Sequence, residues 1–455
     1  MTAPAATDDD STSFEGAFRW IEEHVGGRVV RTERHPRWRP AFDVDVETAG
    51  GELLPVHFRG DRGHAQTGDY GTEHEFKVLE LLEAHGVRVP HIYGLCADPL
   101  GIVMERSPGR PNLATADSEQ ERESVLDEYI AELIRMHAID PAVFADAGLP
   151  RPRDPASSVW GDYEDWVGDF RKHKPGPEPL IEFALAWLGR NAPTDRTEVT
   201  FCHGDAGQFI FHEGRLTAVL DFEFGYLGDP AADLGALRSR DISEPLGDLN
   251  RAYRLYSELS GRALEPRVLD FHTVRFALET PLSTAFRAAR PDPTLEPVQF
   301  LAWYVVYGRC ALEVIAHAEG VELAPPSLPE AEETRQSTAH DALVTMLEGV
   351  PSRDAFSDYR IGAAARLAEV LRRSDRYGPA LEADDLDDAE RLLGHRPATW
   401  READAALEAR VAEAPREQDG DLIRCLHRRA LRREALLDPV LRELRGVKMQ
   451  LLDTP

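Results

Sequence analysis

The sequence predicts an α+β fold followed by a separate helical module, and three observations lead there. Short β-type runs with one embedded amphipathic helix fill the chain up to Gly109. Helical periodicity then dominates from Ser118 to about residue 319, broken once by β-type segments. A stretch rich in Pro and Glu, VELAPPSLPEAEE, separates that region from a second helical one.

Taken in order, SFEGAFRWIEEHV places Phe14, Phe18, Ile21 and Val25 at helical spacing behind a Ser/Thr start. GRVVRTER, AFDVDVETAGG and ELLPVHFRG read as three antiparallel strands, with turns at Arg34 to Pro40 and Ala49 to Gly51. GTEHEFKVLELLEAHG reads as an amphipathic helix ended by Gly86, and VPHIYGLCADPLGIVMERSPG supplies two more strands and a Pro-Gly turn. ESVLDEYIAELIRMHAID is the clearest later helix. EVTFCHGD, QFIF and RLTAVLDF are the β-type interruption, the last two joined by a tight HEG turn. IGAAARLAEVLRRSDRYG and DLIRCLHRRALRREALLDPVLREL are long amphipathic helices suited to packing on the preceding lobe or on a second copy in a homodimer. The implied boundaries are 14–106, 107–320 and 336–455.

A length of 455 residues suits two or three domains. The net charge of −29 argues against nucleic acid or an anionic membrane surface as the main partner. MTAPAATDDDSTS has no basic-then-apolar signal pattern, and the reading finds no apolar run of about 18 residues, so a cytoplasmic protein is expected. Cys96, Cys202, Cys310 and Cys425 are too dispersed for a metal knuckle or a disulfide framework.

The chemistry is concentrated in FCHGDAGQFIFHEGRLTAVLDFEFGYLGDPAADLG, residues 201–235. Phosphoryl transfer needs a carboxylate to orient the attacking hydroxyl and oxygen ligands to hold magnesium on the phosphates. Asp205, after a strand and a glycine, can project from a loop tip as base or orienting acceptor. The hairpin folds back so that Gln208 at its start and Asp221 at its end converge, offering an amide oxygen and a carboxylate to one magnesium. Taken singly, each of these is more often a turn, cap or exposed hairpin residue; their joint order favours the catalytic reading. His203 reads as a structural loop histidine, and Asp229 and Asp233 as caps and tethers of the next helix.

The series HGD, LDFE and GDPAADL resembles the aminoglycoside phosphotransferase-like family of small-molecule kinases related to protein kinases, over roughly residues 14–319. The resemblance implies a bilobal fold: an N-lobe antiparallel sheet with one helix, a hinge, and a mostly helical C-lobe. It implies ATP and magnesium as cofactors, Asp205 as catalytic aspartate, and Asp221 with Gln208 as metal ligands. It also implies that Arg59 is the basic residue of the third strand, that Glu75 is its helix partner, and that Met104, Glu105 and Arg106 form the adenine-binding hinge. Three features depart from the family pattern. The loop between Asp205 and the second ligand is short and ends in Gln208 where the family has asparagine, Arg59 stands where lysine is more familiar, and the turn RHPRWRPAF lacks glycine. Arg34, Arg37 and Arg39 are candidates to neutralise phosphate in its place.

The function this implies is transfer of the ATP γ-phosphate to a hydroxyl of a small metabolite, of alcohol or hydroxyacyl type before aminoglycoside. The competing reading is a silent pseudokinase that binds a nucleotide or metabolite. A metal-dependent hydrolase using His203, Asp205, His212 and Asp221 fits poorly, because no HxH or HxxxH pair supports it.

Overall fold

The structure is a computed structural model, and it describes residues 14–37, 39–62, 70–289, 297–351 and 354–452. The acidic N-terminus and Trp38 lie outside the described residues. Helix α1 (Glu15–Ile21) precedes strands β1 (Arg28–Arg34), β2 (Ala41–Glu47) and β3 (Leu53–Gly60). Helix α2 (Thr72–Ala84) and strands β4 (Ile92–Ala97) and β5 (Leu100–Glu105) complete a five-stranded antiparallel sheet of order β1-β2-β3-β5-β4.

Strand alternation decides which side chains reach the site. Phe42, Val44, Val46, Val56 and Phe58 point to one face, where they form a core with Ala17 and Ile21 of α1. Asp43, His57 and Arg59 therefore take the other face, with His57 paired opposite Met104 and Arg59 opposite Ile102. Ile102 and Met104 pack with Val78, Leu79 and Leu82 of α2. That packing sets the first turn of α2, and so the buried Glu75, beside Arg59.

The second lobe opens with α3 (Glu119–His137), α4 (Pro141–Asp146), α5 (Pro155–Trp160), α6 (Tyr163–His173) and α7 (Pro179–Asn191). Four short strands follow: β6 (Thr200–Cys202), β7 (Phe209–His212), β8 (Arg215–Val219) and β9 (Tyr226–Gly228). The β7–β8 hairpin and strand β6, inside EVTFCHGD, match the sequence expectation; β9, the three-residue partner of β6, does not stand out in the sequence. Helices α8 (Ala231–Arg240), α9 (Leu249–Ser260), α10 (Pro266–Ala289) and α11 (Pro297–Ala318) complete the lobe. The whole is the bilobal, protein-kinase-like arrangement that the motifs imply.

Helix α11 corrects one expectation. By length and composition it is long and apolar enough to cross a membrane, with a mean hydropathy of 1.2 over its best window. Arg309 and Glu313 interrupt the apolar run in the sequence, yet they pair with each other at 2.7 Å one turn apart. In the fold, 78% of the window is buried, so α11 is the central core helix of the lobe.

Residues 321–334 are irregular, and α12 (Ser337–Glu348), α13 (Ala355–Leu393), α14 (Trp400–Glu413) and α15 (Asp419–Leu441) follow. These helices share a core with the lobe before them. Leu422, Ile423, Leu426, Leu437 and Val440 of α15 join one apolar cluster with residues of α7, α10 and α11. Arg309 Nε donates to Glu434 Oε1 at 2.5 Å across the same contact. Ending the chain near residue 334 would expose this face, at roughly 25 cal/mol for each Å² of apolar surface returned to water. We predict that such a truncation melts well below the full chain or aggregates. Calorimetry checks this: a truncated protein that keeps one of two separate full-chain transitions unchanged would show that the two parts fold independently.

Candidate active site

Residues 203–208 form a loop held from below by α8. Asp233, in the first turn of α8, accepts the backbone N–H of His203 at 2.8 Å and that of Gly204 at 3.1 Å. The same carboxylate meets His137 Nε2 at 3.0 Å, and His137 Nδ1 is hydrogen-bonded to the Tyr256 hydroxyl at 2.7 Å. Asp233 is fully buried; burial alone would raise its pKa, but the hydrogen bond and charge of His137 hold it below the usual carboxylate range. So Asp233 tethers the loop preceding its helix, where the sequence read it as a cap and tether of the helix itself. Asp229 is likewise buried and accepts two hydrogen bonds from Arg196 and one from the Ala231 N–H.

Gly204 has φ +81°, and a Cβ there would lie 2.1 Å from the Phe224 carbonyl oxygen, so only glycine fits before Asp205. His203 is buried, and its Nε2 donates to the Leu220 and Asp221 carbonyl oxygens at 2.8 and 3.1 Å. It ties the Asp205 loop to the strand end that carries Asp221, which is the structural role expected of it. The Leu220 N–H donates to the Gln208 carbonyl at 3.0 Å, closing the hairpin and bringing its two ends together.

Asp205 receives two donors on one oxygen: Gln208 Nε2 at 2.6 Å and Arg240 Nη2, both on Oδ2. Among the described hydrogen bonds none falls on Oδ1, and the side chain is 27% exposed. Arg240, at the far end of α8, keeps its proton more firmly than usual: burial opposes its charge, but Asp205 and Glu244 outweigh it. Nothing in the sequence marks Arg240 as a partner of Asp205, because the contact depends on the length of α8. The C-terminal tail braces that helix: Gln450 Nε2 donates to Asp241 Oδ2 at 2.8 Å, and Arg238 Nε donates to the Gln450 carbonyl at 2.6 Å.

Facing the loop is a knot of arginines and acids. Arg59 donates through Nε to Glu75 Oε2 at 3.0 Å and through Nη2 to Asp221 Oδ1. Glu75 also accepts the Phe222 N–H at 3.2 Å. Glu223, two residues past Asp221, is contacted by Arg39 and Arg62 and lies 3.5 Å from Arg59 Nη2. Burial would raise the Asp221 pKa, but Arg59, Arg39, Arg62 and Arg37 hold it well below the usual range. Burial and the neighbouring Asp221 push Glu223 up, despite those arginines. Asp221 also adopts φ +68°, a conformation that aspartate tolerates but seldom takes.

One carboxylate oxygen from each of Glu75, Asp221 and Glu223 lies within 4.8 Å of the others, a donor set that fits a hard divalent cation. The Gln208 amide turns its NH2 to Asp205, which aims Oε1 away from that carboxylate. Of the hinge residues, Met104 is buried; the Glu105 N–H donates to His91 O at 2.8 Å and the Arg106 N–H to Pro55 O at 3.0 Å, so both donors are engaged by neighbouring strand ends. Arg106 Nη2 reaches Asp45 Oδ1 at 2.7 Å. On the same face, His57 Nδ1 and His35 Nε2 meet Asp43 Oδ1 at 2.8 and 3.0 Å.

Replacing Asp233 by Ala orphans two loop N–H groups and His137 in a buried site. We predict a loss of about 3–5 kcal/mol in stability, read by denaturant unfolding; a change under about 1 kcal/mol would mean that the loop is not held from α8.

Residues 68–269 match the phosphotransferase enzyme family. Acyl-CoA dehydrogenase family member 10 of Mus musculus is 29% identical over 183 residues, covering 36% of this chain and 16% of that protein. Acyl-CoA dehydrogenase family member 11 of Homo sapiens is 27% identical over 200 residues, covering 40% of this chain and 23% of that protein. The match thus spans under a quarter of the length of each relative. Among solved structures, macrolide 2'-phosphotransferase MphH from Brachybacterium faecium covers 60% of this chain and 92% of its own, with a TM-score of 0.46 at 22% identity. A thermostable mutant of aminoglycoside phosphotransferase APH(4)-Ia covers 67% and 100%, with a TM-score of 0.48 at 16% identity. Residues 68–269, the segment that carries HGDAGQF and LDFE, are thus what the chain shares with the phosphotransferase enzyme family.

Proposed function

We propose that this protein transfers the γ-phosphate of ATP to a hydroxyl group of a small metabolite, of alcohol or hydroxyacyl type in preference to an aminoglycoside. The observation that carries the reading is the pair of carboxylates on two strand ends locked together by His203: Asp205 with one oxygen open, and Asp221 in a cluster of acids and arginines. Asp205 Oδ1 accepts the hydroxyl hydrogen and turns the oxygen lone pair to the phosphorus, while Arg240 and Gln208 on Oδ2 hold the carboxylate in place. Asp221, with Glu75 and Glu223 beside it and Gln208 Oε1 as a neutral donor, would hold magnesium. When bound, that ion screens charge on the phosphate oxygens. The hydroxyl preference rests on the named relatives, which are acyl-CoA dehydrogenase family members, and on the HGDAG…QF form of the loop.

Asp205→Asn should lower turnover by about 10²- to 10⁴-fold in a screen of hydroxyl compounds coupled to ADP release, in a variant that a thermal melt shows to be folded; retained turnover removes Asp205 from its role. Gln208→Asn withdraws the amide by one methylene from both Asp205 and the metal side. A fall in rate of up to about a hundredfold is expected, and the magnesium titration separates the causes. An unchanged magnesium dependence assigns the amide to Asp205 alone, and a shifted one assigns it to the metal as well.

A further inference from the structure

We propose that the cavity between the second lobe and the last three helices is a further ligand site, one that takes an apolar monocarboxylate with its charged end on Arg433. The cavity encloses about 1070 Å³, enough for a molecule of drug size, and Asp205, Gln208, Asp221 and Arg240 are all absent from its walls. The site is thus separate from the one described above, and its ligand does not depend on the phosphotransfer reading.

Two parts of the chain build the walls. Residues 175–181, with Tyr304 and Gly308 of α11, form one side, and α13, α14 and α15 form the other. Ion pairs hold these sides in place. Lys174 Nζ joins Glu182 at 3.0 Å to Glu408 of α14 at 2.9 Å, and the Glu178 N–H donates to the same Glu408. Arg432 reaches Asp385 of α13 at 2.6 Å, and Arg429 reaches Asp404 of α14 at 2.6 Å. Pro379, inside α13, has no N–H to give to the preceding turn, and a Cβ on Gly378 beside it would meet nothing within 4 Å. The cavity is therefore already formed, which spares a ligand the cost of ordering it.

The lining selects the ligand. Pro177, Leu180, Leu381 and Leu436 supply apolar wall, and Trp400, 45% exposed, offers an uncovered ring. Of the four lining carboxylates, Asp385 and Asp404 are paired with arginine and Glu178 accepts the Tyr304 hydroxyl, which leaves only Glu382 without a described hydrogen-bond partner. Two lining arginines, Arg401 and Arg433, take part in no described ion pair. Arg401 lies over the Trp400 ring, 4.3 Å from its centroid. Arg433 is exposed, and its guanidinium carbon stands 4.5 Å from the centroid of Tyr304. That ring covers one face of the guanidinium and leaves its forked N–H groups for an acceptor. Glu178 acts on Arg433 through space, but burial holds this carboxyl above its usual range, which weakens it as a competitor. A carboxylate matches the fork with two hydrogen bonds. A single negative charge suits it, since Glu178 and Glu382 on the same walls would repel a second.

Isothermal titration of the full chain with octanoate and, separately, with 1-octanol tests this. Octanoate should bind at least about tenfold more tightly than octanol. Its affinity should lie on a series that rises roughly fourfold for each methylene from hexanoate to decanoate. Arg433→Gln should weaken octanoate by about ten- to a hundredfold and leave octanol unchanged. Ser374→Phe puts a ring into the cavity from α13 and removes no described hydrogen bond, so it should weaken both ligands. Thermal melts show which variants are folded. If Arg433→Gln is not, Ser374→Phe and the ratio of octanoate to octanol affinity decide. The proposal is overturned if octanoate does not bind, if octanol binds equally well, or if either variant, folded, binds octanoate as the wild type does.

Discussion

The ion pairs joining Arg59 and Arg39 of the first lobe to Asp221 and Glu223 of the second set the geometry on which the site depends. They cross between lobes, they are largely buried, and they place the Asp221 and Glu223 carboxylates against the sheet. A buried pair of this kind seldom adds much net stability, because desolvation of both charges offsets their attraction. Its value is positional, since removing one partner leaves the other stranded. The cluster thus specifies how the lobes meet at the cleft.

Below that contact, α8 acts as a rigid beam. Asp233 near its start fixes the loop backbone, and Arg240 at its end fixes the Asp205 side chain, so one helix determines both the path of the loop and the direction of its carboxylate. Gln450 and Arg238 then couple α8 to the C-terminal tail, and α15 packs on α11. The helices after the linker therefore bear mechanically on the Asp205 loop.

This arrangement also explains how a short loop suffices. With His203 bound to the carbonyls before and at Asp221, and Gln208 closing the hairpin from the other side, few residues are needed to span from Asp205 to Asp221. The glycine at 204 permits the close pass beside Phe224 that the tight path requires.

The sequence by itself marked most of the strands and helices in order, their apolar faces, and Asp205 and Asp221 as candidate site residues. Those follow from period-two and period-3.6 patterning and from local motifs, which need no knowledge of distant neighbours. Arg59 and Glu75 were legible through family resemblance, and their 3.0 Å contact joins elements adjacent in the chain. Tertiary structure alone decided that Arg240 meets Asp205, that Arg39 and Arg62 meet Glu223, that Asp233 holds the loop, and that the last helices share a core with the lobe before them. Each of these links residues far apart in sequence. An arginine or acid at a helix end reads alike whether it faces solvent or a partner, because charge carries no periodic signature of its destination. What buried these groups together is the packing of apolar faces, which fixes the distances at which charges meet.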